Sequence, residues 1–175
     1  MADSHHRLAA DPGVLGRSLW VKRSKLGRTT DDIVAAIANA KLLIDWFGGW
    51  PDFHDAEVVS LAFDRGNLKQ VFETGEWSKT VKPKLTAALY LPGWSGGPNT
   101  KRKAALVTLQ FSGGFERLSL QGFNHQNPIV GLEIIWEHSK NLKKDLFAVD
   151  WGGTLLQHEV SFTCEEIEVT SVSAA

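Results

Sequence analysis

The chain has 175 residues, 43% of them apolar, with 19 Lys and Arg against 20 Asp and Glu. This describes one globular domain with a sizeable core and excludes a disordered tail. No window reaches the ~18 consecutive apolar residues of a membrane span, and no early apolar run resembles a secretion signal, so a cytoplasmic setting is expected.

Residues 1–28 carry Arg7, Arg17, Lys22, Arg23, Lys25 and Arg28 among small and polar residues, with apolar side chains at no fixed spacing. They read as a loosely attached arm, with residues 29–175 forming the single domain. From Thr29 the pattern becomes helical. Thr29 or Thr30 can cap a helix with Asp31 and Asp32 in its first turn, and Ile33, Ile37, Ala40, Ile44 and Phe47 repeat on one face. One amphipathic helix of about four turns, ending at Gly48, is expected to lie on a sheet.

The remainder reads as strands. Glu57, Val59, Leu61 and Phe63 alternate with their neighbours up to a turn at Asp64-Arg65-Gly66-Asn67, and Leu85, Ala87, Leu89 and Leu91 form the next alternation. Between them Gln70 to Thr74 reads as a strand, and Pro92 to Asn99 as a solvated turn-rich loop followed by Lys101-Arg102-Lys103. Ala105, Val107, Leu109 and Phe111 are expected to pair with Leu118 and Leu120 through a hairpin at Ser112-Gly113-Gly114. Val130 to Trp136 and Phe147 to Trp151 follow. In the segment from Leu155 to Val172 the apolar positions change from even (Val160, Phe162, Cys164) to odd (Ile167, Val169), which requires a bulge or bend near Glu165-Glu166. Together these predict an α+β fold: one helix on a largely antiparallel, twisted sheet of about seven to eight strands. Seven Trp against one Tyr place several indoles at strand ends or on a binding face. The single cysteine, Cys164, cannot form an internal disulfide, and its apolar surroundings read as core.

Chemistry concentrates at the helix-to-strand corner, where Trp50, Pro51, Phe53, His54, Asp55 and Glu57 lie close together in sequence. An aromatic lock between helix and sheet and a binding site would both produce this density. Period two sets Asp55 and Glu57 on one strand face and His54 on the other, so the three do not readily meet one ion even with His125 and His158 to complete a set. No metal or cofactor is expected. The turn around Phe123, Asn124, Gln126 and Asn127 has the polar chemistry of a ligand loop, and equally that of a turn satisfying its own backbone.

Three stretches carry a resemblance. Phe47-Gly48-x-Trp50-Pro51-x-Phe53-His54-Asp55-Ala56-Glu57-Val58, then Gly122-Phe123-Asn124-x-Gln126-Asn127, then Phe162-x-Cys164-x-x-Ile167-x-Val169 resemble the immunity protein 50 family of bacterial polymorphic toxin systems. The resemblance spans the chain from the helix to the last strand. It implies a small cytosolic α+β protein that neutralises a cognate toxin, such as a nuclease, by protein-protein binding, with no catalysis and no direct contact with nucleic acid or membrane. The reading from another class is a small-ligand-binding or metal-dependent hydrolytic protein using the corner from Trp50 to Glu57. After Lys144 the chain has no Lys or Arg but several acids, so Glu159, Glu165, Glu166 and Glu168 are expected to line a toxin-binding surface.

Overall fold

In the computed structural model the described residues are 28–66, 73, 82–93, 103–121, 128–129, 131–152 and 159–175. The expected arm at 1–28 apart from Arg28, most of the expected strand at Gln70 to Thr74 and most of the loop from Pro92 lie outside them. Two short helices, α1 (Thr30–Ala35) and α2 (Lys41–Phe47), precede nine strands among these residues: β1 (Ala56–Asp64), β2 (Lys84–Leu91), β3 (Ala105–Ser112), β4 (Leu118–Gln121), β5 (Pro128–Ile129), β6 (Leu132–Ser139), β7 (Lys144–Gly152), β8 (Glu159–Cys164) and β9 (Glu166–Ala174).

The expected single helix is interrupted. Thr29 caps α1 through a capping box, with Asp32 N donating to its hydroxyl and Thr29 N donating to the Asp32 carboxylate at 2.8 Å. The chain then leaves helical geometry, and Asn39 takes a left-handed φ of 57°. Ala38 instead pairs with β9: its N–H donates to Ile167 O and its carbonyl accepts from Val169 N, each at 2.9 Å. Edge pairing has overridden helix propensity, because these bonds satisfy backbone groups of both the loop and β9. The break also turns the second apolar face. Leu43, not Ile44, is buried with Ile33, Ile37, Ala40 and Phe47. Gly48 closes α2 in the left-handed conformation, as the sequence requires.

The strands form two sheets rather than one. The first has the order β5-β1-β2-β3-β9 and the second β4-β8-β7-β6, with antiparallel pairing throughout the strand ladders. Leu85, Ala87, Leu89 and Leu91 on β2 and Ala105, Val107, Leu109 and Phe111 on β3 are all fully buried, so the predicted alternations hold. Their inner face meets the second sheet through Phe111, whose ring lies 5.9 Å from Trp151 and 4.8 Å from Phe162, edge to face in both cases. Burying side chains of this size contributes roughly 1.5–3 kcal/mol each, so the layer between the sheets is the main source of cohesion. At the side where the sheets end in β9 and β6, α2 contacts β9 and α1 contacts β6. Arg28, expected in the loose arm, instead bonds Asp145 at 3.0 Å and lies 4.5 Å over the Trp136 ring.

The expected hairpin after β3 is not formed. β3 pairs with β2 and β9, whereas β4 pairs with β8 in the other sheet. Gly113 and Gly114 take φ of 67° and 61°, which lets the chain leave one sheet for the other. The predicted change of register at Glu165 is the return crossing, from β8 to β9. Glu165 N donates to Ser112 O at 3.0 Å, so the two crossings are bonded to each other.

A side chain at Gly114 would need a left-handed φ and would place its Cβ 2.8 Å from Glu165 Cγ. Gly114→Ala is therefore expected to destabilise the protein by about 1–3 kcal/mol, read as a lower urea midpoint with unchanged m-value.

Candidate functional site

The corner is built by an unusual local backbone. Asp52 Oδ1 accepts from His54 N at 3.0 Å, and Phe53 and Asp55 both take left-handed φ, 58° and 61°. Such strain in non-glycine residues persists only when surrounding structure fixes it. Here Phe53 is fully buried, Pro51 is buried, and the half-buried Trp50 ring lies 5.7 Å from Phe53. Asp55 N donates to Ile129 O at 2.9 Å, and β5 pairs with β1 at Ala56 and Glu57. The described part of the corner is a filled aromatic lock.

The charged residues of the corner lie outside that lock. His54 and Asp55 are exposed, and His54 Nδ1 lies 2.9 Å from Asp55 Oδ2. The strand period expected to separate them does not apply, since β1 begins only at Ala56 and the left-handed residues turn the two side chains together. Glu57 lies within β1 opposite Pro128. Among the described residues no three His, Cys, Asp or Glu side chains are grouped to hold a metal ion. Phe123, Asn124, Gln126 and Asn127, with His125 and His158, lie outside the described residues. Pro128 and Ile129, next in the chain after Asn127, reach the corner through the pairing of β5 with β1. Cys164 is buried, and removal from water pushes its thiol well above the ordinary value, which suits core and not a nucleophile.

Of the four expected acids, three come together. Glu165, Glu166 and Glu168 line a groove of about 460 Å³ with Lys82, Lys84 and Ser112. Glu159 begins β8, at the opposite end of that strand from Glu165. Nor is the groove simply acidic. Glu166 accepts from Lys82 and from Ser112 Oγ, both at 3.0 Å, and Glu165 pairs with Lys144 at 2.7 Å. Glu168 is held by neutral amides, Asn39 at 3.1 Å and Gln110 at 3.5 Å. Sequence order concealed the lysines. Ser112 and Glu166 face each other in the β3-β9 ladder, and Lys84 continues that row on β2, so cations distant in the chain arrive by pairing.

The hydrogen bonds from Lys82 and Ser112 hold the Glu166 carboxyl below its usual value, and the same pairing raises Lys82. Since the folded-state pKa of Glu166 is lowered, this contact contributes in full above the usual carboxylate value and is lost as pH falls through the folded one. The group is largely exposed, so the contribution is small.

Compared with protein-family models, curated proteins and solved structures, the chain gives no match in any of the three.

Two measurements follow from this geometry. Phe53→Ala is expected to destabilise the protein by about 3–5 kcal/mol in urea unfolding, whereas His54→Ala, on the exposed side, changes it by less than about 0.5 kcal/mol. Ser112→Ala should move the Glu166 carboxyl titration upward toward its ordinary value, observed by side-chain carboxyl NMR, because one of two bonds to the charged form is removed.

Proposed function

We propose that this chain is a non-catalytic immunity protein that neutralises a cognate toxin by protein-protein binding in the cytoplasm. The observation that carries this reading is the filled corner. The residues on which the resemblance rests, Trp50, Pro51 and Phe53, are spent on packing, which leaves recognition to exposed surface. The groove along β9 offers such a surface. Its carboxylates, Glu168 above all, are placed to meet basic side chains of a toxin that itself binds phosphates. Because Glu165 and Glu166 already have lysine partners, attraction is weaker than the count of acids implies.

A second reading has one observation in its favour. The exposed His54-Asp55 pair is an arrangement that general-base chemistry uses, and it fits a small-ligand-binding or metal-dependent hydrolytic protein.

Co-expression with the toxin encoded beside its gene is expected to restore growth and yield a stable complex. Changing Glu165, Glu166 and Glu168 together to Gln should slow association at low salt by about tenfold or less, with little change at high salt. His54→Ala separates the readings: toxin binding is retained under the first, and loss of a turnover activity accompanies the second. Failure of the folded wild type to bind that toxin would sink the immunity reading.

A further inference from the structure

We draw no further inference here: the strongest candidate, the tip of the β6–β7 hairpin, where Leu142 stands 44% exposed between Lys140 and Lys143 and Lys143 takes a left-handed φ of 53°, carries nothing, because one exposed leucine and one left-handed residue are ordinary in a tight hairpin loop and nothing in the structure shows what covers it.

Discussion

The structure depends on one place, where the chain passes between its two sheets and returns. Outbound, Gly113 and Gly114 turn the backbone in left-handed conformations; on the return, Glu165 lies on those glycines and its N–H is bonded to Ser112 O. Thr163 reinforces the crossing by donating its hydroxyl to Gly114 O at 2.8 Å and accepting from Glu116 N at 3.0 Å. Backbone polar groups at a strand exit would otherwise be left without partners, and here each crossing supplies the other's. The sheets are thereby held face to face, and the Phe111, Trp151 and Phe162 rings fill the space between them.

The same crossing governs the charges around it. Glu165 packs its side chain over the two glycines and pairs there with Lys144, and the next strand position carries Glu166 to Ser112 and Lys82. A run of acids in the sequence thus becomes a mixed surface in which position along the ladder, and not composition, sets the local field. In the proposed role, a partner at this surface would have to offer cations where Glu168 stands and tolerate the lysines beside it.

Much of the β architecture was legible because period-two burial leaves a plain trace. The alternations in β2 and β3 and the change of parity at Glu165 all correspond to observed faces. What failed to show was long-range pairing. Ser112-Gly113-Gly114 has the composition of a hairpin, yet the strands on either side belong to different sheets, because each finds a better partner elsewhere. The helix read as continuous because its apolar spacing survives the break at Ala38, and no local signal announces that β9 will take that residue as an edge partner. At the corner, the density of aromatics and charges was visible, but not its division: rings inward, His54 and Asp55 outward. That division rests on left-handed backbone at Asp55, a residue type that adopts it fairly readily, and at Phe53, a residue type that rarely does and so gives no warning of it.

The bonding of Ala38 to β9 has a kinetic consequence. Asn39 and Glu168, which share a hydrogen bond there, are 129 residues apart, so the helical segment is synthesised long before the strand that receives it. At a synthesis rate of about 5–20 residues per second, the two helices wait on the order of ten seconds with their apolar faces uncovered. Segments of six and seven residues are too short to hold helical form alone over that interval. The packing of α2 against β9 therefore waits for the C-terminal strand. Docking of β9 closes a loop spanning the 129 residues from Asn39 to Glu168, and long-range contacts of this kind slow folding.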